Sequence, residues 1–186
     1  LKDTKDSFEK LTGSRIVEGY ALTESMMAIC CTPVVGKYKV GSIGMPVSDV
    51  FVRIADVEDG SKSLELGEGN VGEIVIRAPQ LMRGYWQRPD ATAEMLKSGE
   101  LFTGDLGYMD EDGYIFIVDR KKDVVKVSGF QVWPREVEEV LAMHPKVMEV
   151  AVAGIPDPRT TEAVKAWIVL QPGQTATADE IQSFCK

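Results

Sequence analysis

Residues 119–126 read DRKKDVVK, four positive side chains against two negative ones in a chain that is otherwise acidic, and they follow directly on an apolar run at 114–118. This basic stretch separates two parts of unlike pattern. Upstream, β-branched residues alternate with polar ones at 50–55 and 71–77 around a Gly/Glu/Asp-rich loop at 58–70, which predicts a hairpin or meander. The runs 106–109 and 114–118 flank the tight turn DEDG at 110–113, with Phe102 as a further strand position. Nearer the start, 14–18 and 28–31 read as short apolar strands with a turn at 19–24 that faces a site. Pro89-Asp90 opens one short helix, 91–97, and Ser98-Gly99 stops it.

Downstream of the boundary the periods are mixed. A strand at 124–127, a helix at 134–143 with Val137, Val140 and Leu141 on one face, strands at 147–153 and 163–170 and a last helix from near Ala178 predict a small domain with a three-stranded sheet. The fold class is therefore α+β: an antiparallel, barrel-like β-subdomain followed by a small α+β domain. The expected domains are 1–121, the end of a larger domain, and 122–186, an incomplete small one. No internal repeat or low-complexity run is visible.

Composition narrows the function. The 186 residues, 44% hydrophobic and 27% charged, are those of a folded globular chain. With 29 acidic against 21 basic residues and a net charge of −8, the surface repels a nucleic-acid backbone, so no nucleic-acid partner is expected. Apolar stretches fall far short of the roughly 20 residues that cross a bilayer, so no transmembrane segment is expected. Cys30, Cys31 and Cys185 form no CxxC pair and have no nearby histidine, which argues against a zinc site and for a reducing, cytoplasmic location, at most peripheral to a membrane. Cys30-Cys31 lies in an apolar strand and reads as buried. His144 follows a helix and reads as a C-cap or solvent-facing group.

Four ordered segments carry chemistry: GYALTE at 19–24, GEIVIRAPQLMRGYW at 72–86, FTGD at 102–105 and DRKKDVVKVSGFQV at 119–132. Thr23 offers a hydroxyl to a phosphate oxygen and Glu24 a hard oxygen ligand for Mg²⁺. Tyr20 offers a ring face to a base, and Gly19 close backbone approach; a buried tyrosine in a turn is the other reading. The Asp105 carboxylate suits two ribose hydroxyls, or an Asx turn. Arg120 adds a cationic fork suited to ribose or phosphate. Lys122 reads by itself as a surface charge.

Together these segments resemble the adenylate-forming (acyl-CoA synthetase/ligase) family, most of all its long- and medium-chain fatty-acid–CoA ligases, over nearly the whole chain. The resemblance implies an acid–thiol ligase that activates a fatty carboxylic acid with ATP and Mg²⁺ as acyl-AMP, then passes the acyl group to coenzyme A. It implies that Thr23 and Glu24 act on the phosphates and metal, that Gly19, Tyr20, Asp105 and Arg120 hold ATP or AMP, and that Lys122 is the hinge between two catalytic conformations. Lys126 and Gly129 would then line the CoA side, with Gly129 leaving room for a pantetheine arm. Ala21 departs from the pattern, since many relatives carry Gly there, so the loop is expected to differ slightly. The segment 72–86 reads as chiefly structural. A phosphate loop and a late catalytic lysine are not in the sequence, so the chain is expected to be a C-terminal fragment, inactive by itself, with apolar surface that favours a homodimer. Aryl-CoA ligases and peptide-synthetase adenylation domains are the neighbouring readings, and a non-catalytic interaction module is the reading from another class.

Overall fold

In GEIVIR the strand Gly72–Arg77 (β5) carries three consecutive apolar residues, and Ile74, Val75 and Ile76 are all within 1% of complete burial. A strand buried on both faces must be central, and β5 is. It pairs antiparallel with Phe51–Ala55 (β4) on one side and with Glu100–Met109 (β7) on the other. Leu96–Lys97 (β6) and Ile115–Arg120 (β8) complete a five-stranded sheet, both lying against β7. Each buried aliphatic side chain contributes on the order of 1.5–3 kcal/mol relative to exposure, so this sheet anchors the first part of the chain. Its core continues through Leu101 and Ile115 to Ile29 and Cys30.

The computed structural model describes residues 2–185, and the chain divides into two units between Ile117 and Val118. The first unit also holds a helix, Lys2–Thr12 (α1), and a three-stranded antiparallel sheet of Gly19–Ala21 (β1), Ala28–Cys31 (β2) and Met45–Pro46 (β3). The expected strand at 14–18 is not formed. Residues 14–18 run as a connector, and the strand begins at Gly19, inside the expected turn. The reason lies in α1, which ends on left-handed Gly13, whose N–H donates to the Glu9 carbonyl, while the Glu9 carboxylate accepts the N–H of Ile16 at 2.9 Å. That contact ties 14–18 to the helix and leaves the next residues to pair with β2. The short helix Pro89–Met95 (α2) starts at the expected proline but stops two residues early, because Leu96 and Lys97 pair with Leu101 and Glu100.

In the second unit, Val125–Val127 (β9), Phe130–Val132 (β10), Val147–Asp157 (β11) and Thr161–Leu170 (β12) form one antiparallel sheet in the order β10-β9-β12-β11. The sheet has four strands rather than three, because Phe130–Val132 folds back on β9 around Ser128-Gly129. Pro134–Ala142 (α3) packs on β11 with Leu141 buried, and its Glu138 carboxylate accepts the N–H of Val152 at 2.8 Å. Ala178–Phe184 (α4) is capped by Thr177, whose hydroxyl accepts the Glu180 N–H. His144 is not solvent-facing: it is 6% exposed, packs edge-on against Phe184 with ring centroids 4.8 Å apart, and accepts the Lys146 N–H on Nδ1. Cys30 is buried, and its apolar surroundings push the thiol pKa up to about 12. The architecture is thus α+β, a curled antiparallel half-barrel followed by a smaller α+β region, as the alternating and then mixed periods imply.

Candidate functional site

Between β5 and β7 the ladder is broken at one place. Glu73 pairs with Leu106 and Val75 with Phe102, so Ile74 alone faces the three residues Thr103, Gly104 and Asp105. The TGD segment is therefore a bulge, the device by which a strand re-aims side chains. Three contacts hold it. The Thr103 hydroxyl donates to the Ile74 carbonyl at 2.7 Å and accepts the Asp105 N–H at 3.1 Å, while the Gly104 N–H donates to the buried Glu73 carboxylate at 3.0 Å. Gly104 sits at φ 74°, a left-handed conformation that a Cβ would strain.

The bulge turns Asp105 toward β1. The Tyr20 hydroxyl donates to Asp105 Oδ2 at 2.5 Å across 85 positions of sequence, and Asp105 is 7% exposed. Burial, and then the carboxylate beside it, push the Tyr20 hydroxyl far above its ordinary pKa, so it remains a donor. Ala21 lies in β1 and not among the positive-φ residues, so its Cβ is accommodated; the loop's departure from regularity is a register shift between Tyr20 and Ala21.

Past β1 the chain makes one 3₁₀ turn, Thr23–Ser25, which presents Thr23 exposed and Glu24 half-buried. The Glu24 carbonyl accepts the Met82 N–H at 2.7 Å, and its carboxylate Oε1 accepts the Tyr85 hydroxyl at 2.6 Å. That hydrogen bond, with burial, raises Tyr85 to about 12. Tyr85 is the partner that the reading of 72–86 as structural missed, since a contact across 61 positions leaves no trace in spacing. Glu73 is another. Tyr20 and Asp105 are thus in contact, and Thr23 and Glu24 follow Tyr20 by three and four residues in the chain.

Among the described residues no cluster of three or more His, Cys, Asp or Glu is placed to hold a metal ion. A single carboxylate still fits Mg²⁺, which characteristically takes one or two protein carboxylates and leaves its remaining positions to phosphate oxygens and water. Glu24 meets that description, with Oε1 fixed by Tyr85 and the Thr23 hydroxyl adjacent in the chain.

The remaining candidates lie in the second unit. The Arg120 N–H donates to Asp119 Oδ1 at 2.7 Å, and Asp119 Oδ2 accepts the N–H of Arg135 in the first turn of α3. Lys122 is exposed, in a turn closed by the Asp123 N–H on the Arg120 carbonyl. Lys126 and Gly129 belong to the β9–β10 hairpin. Gly129 is exposed at φ 87°, and a Cβ built on it meets nothing within 4 Å.

A model of the AMP-binding enzyme family matches residues 2–86, and one of the AMP-binding enzyme C-terminal domain matches residues 136–186. The chain belongs to the AMP-binding, adenylate-forming ligase family. It is 43% identical over 184 residues to a long-chain-fatty-acid–CoA ligase of Bacillus subtilis (strain 168), covering 99% of this chain and 32% of that protein. To the long-chain-fatty-acid–CoA ligase of Yersinia pestis it is 47% identical over 185 residues, covering 100% and 32%. The crystal structure of ATP-bound MatB from Rhodopseudomonas palustris superposes with a TM-score of 0.88 at 34% identity, covering 99% of this chain and 36% of that one. The chain therefore spans about a third of the length of the curated relatives it matches. Among the described residues no helix is long and apolar enough to cross a membrane.

Proposed function

We propose that this chain is the C-terminal part of an AMP-forming acyl-CoA ligase that activates a fatty carboxylic acid and transfers it to coenzyme A. The observation that carries the reading is the Tyr20–Asp105 pair, in which a ladder bulge aims a buried carboxylate at the ring of the GYALTE segment. A fixed carboxylate accepts two hydroxyls through charge-assisted hydrogen bonds, and a ring beside it offers a stacking face. A ribose carrying a purine has that combination. Asp105 then orients the nucleotide and Tyr20 fixes both base and carboxylate. Arg120 supplies a further donor to ribose or phosphate.

Thr23 donates to a phosphate oxygen. Glu24, held by Tyr85, would hold Mg²⁺, which when bound neutralises phosphate charge. In the first step a carboxylate oxygen of the acid forms a bond to the α-phosphorus, and the bond to pyrophosphate breaks. In the second, the CoA sulfur forms a bond to the acyl carbon, the bond to AMP breaks, and the thiol proton leaves to solvent. Gly129, with open space around it, gives a pantetheine arm room in that second step, and Lys126 is the neighbouring positive charge. Lys122 is the pivot between the arrangements that serve the two steps, with 1–121 and 122–186 as the moving parts.

The choice of a fatty acid is supported by the names of the two bacterial relatives at 43 and 47% identity. Pyrophosphate exchange by the full-length protein against a panel of fatty, aromatic and amino acids tests it. Exchange is expected with fatty acids first. Exchange with aryl or amino acids alone would move the protein to another branch, and none with any acid would leave the binding-module reading.

A further inference from the structure

The turn that joins β11 to β12, residues 157–162, is locked by its own side chains. Asp157 Oδ1 accepts the N–H groups of Arg159 and Thr160 at 2.8 and 2.9 Å, and the Thr160 hydroxyl lies 2.7 Å from the Glu162 carbonyl oxygen. From this locked turn two hydrogen bonds reach the β9–β10 hairpin. The Ser128 N–H donates to the Thr160 carbonyl at 2.9 Å, and the Lys126 N–H donates to Glu162 Oε2 at 2.6 Å.

The hairpin needs such support. It has three paired positions, Phe130 with Val127, Gln131 with Lys126 and Val132 with Val125, and an isolated two-stranded ribbon is marginal in water. Its ladder to β12 consists of a single pair, Thr161 with Val127. One residue further on, where a backbone acceptor would continue the ladder, a side-chain carboxylate stands in its place. A charged acceptor makes a shorter and stronger hydrogen bond than a carbonyl, and the bond lies three residues from Gly129. Ser128 and Gly129 both have positive φ, 51° and 87°, as the tight two-residue turn requires, so the turn is stiff and its placement follows that of β9.

We infer that Glu162 is a positioning residue for acyl transfer: through the Lys126 N–H it holds the β9–β10 hairpin in register, and so sets where the Gly129 turn is presented. The inference rests on the proposed ligase function, in which Gly129 serves the second step only. Glu162 has no part in the proposed adenylation step, so its loss is expected to leave adenylation alone. A hairpin displaced by a fraction of an ångström slows the step in which it takes part.

The test compares Glu162→Ala and Glu162→Gln in the full-length protein by three readouts: single-turnover pyrophosphate release, acyl transfer on adding CoA, and amide hydrogen exchange over residues 124–132. Glu162→Ala is expected to slow acyl transfer about 10- to 100-fold while adenylation stays within about twofold, and to speed exchange in the hairpin. Glu162→Gln keeps an acceptor oxygen and is expected to recover most of both. Unchanged exchange in Glu162→Ala overturns the inference, as does a parallel fall of both half-reactions in a folded variant. Should the wild-type protein form no adenylate from any acid, the ligase reading falls instead. The exchange comparison then decides by itself whether Glu162 holds the hairpin.

Discussion

Asp105 is a buried carboxylate fixed from both near and far in the chain: Thr103 and Gly104 shape the bulge, Glu73 holds Gly104, and Tyr20 donates from β1. A group so constrained loses little further freedom on binding a ligand. On the proposed reading, replacing it by alanine in the full-length protein would remove two charge-assisted hydrogen bonds to a ribose, each about 1.5–3 kcal/mol as an upper guide. Asp105→Ala is therefore expected to weaken ATP binding more than fatty-acid binding, as read by calorimetric titration of each ligand. Equal losses for both would make Asp105 a structural residue. At this scale the sequence named Tyr20 and Asp105 separately, each with a bland alternative. Their contact was out of its reach, because a distance across 85 positions depends on how β1 and β7 are placed.

Elements are coupled by pairs that skip a strand. Arg53 on β4 reaches past β5 to Glu100 on β7, with Nε 3.1 Å from Oε1 and Nη2 2.7 Å from Oε2, and Nη2 also donates to the Gly60 carbonyl. The hydrogen bond to Arg53 holds Glu100 below the ordinary carboxylate range, although partial burial works against it. A carboxyl with a depressed folded pKa contributes stability that is fully present above its unfolded value, about 4.3, and is lost as pH falls through the folded one. Arg53→Met is therefore expected to cost about 1 kcal/mol at pH 7, since both side chains keep some solvent contact. In thermal melts the gap from wild type should close as pH drops below about 4. A gap that persists to pH 2 would trace the loss to packing on Phe102 rather than to charge. The element list was mostly legible because β5, β11 and β12 announce themselves by apolar periodicity. The β9–β10 hairpin was not, since Phe130–Val132 is three residues long and gains its identity only by pairing.

At the scale of the molecule the proposed hinge at Lys122 can be tested. Packing divides it between Ile117 and Val118, within β8, while family resemblance puts the pivot at Lys122, in the turn after that strand. Proline fixes φ near −65° and removes the N–H, so Lys122→Pro in the full-length protein is expected to trap one arrangement of the two parts. Pyrophosphate release with ATP and fatty acid should be largely retained and acyl transfer to CoA mostly lost, with Lys122→Ala nearly silent. If both half-reactions fall together in a folded variant, or neither changes, residues 119–123 are an ordinary connector. Rapid-quench measurement of the two steps decides it.

The sequence by itself determined the class of fold and the family, because both rest on local information: the period of apolar residues, the turn residues at 110–113, and four ordered motifs that need no partner to be read. Only the tertiary structure decided that the TGD segment is a bulge, that Tyr20 faces Asp105, that Tyr85 holds Glu24 and that Glu162 grips Lys126. Each of those is a hydrogen bond between residues 36 to 85 positions apart, apart from the bulge, which is a mismatch of two strands' registers. Register is set by how whole strands pack, and packing sums many weak, non-directional contacts that leave no pattern in any one window of the sequence.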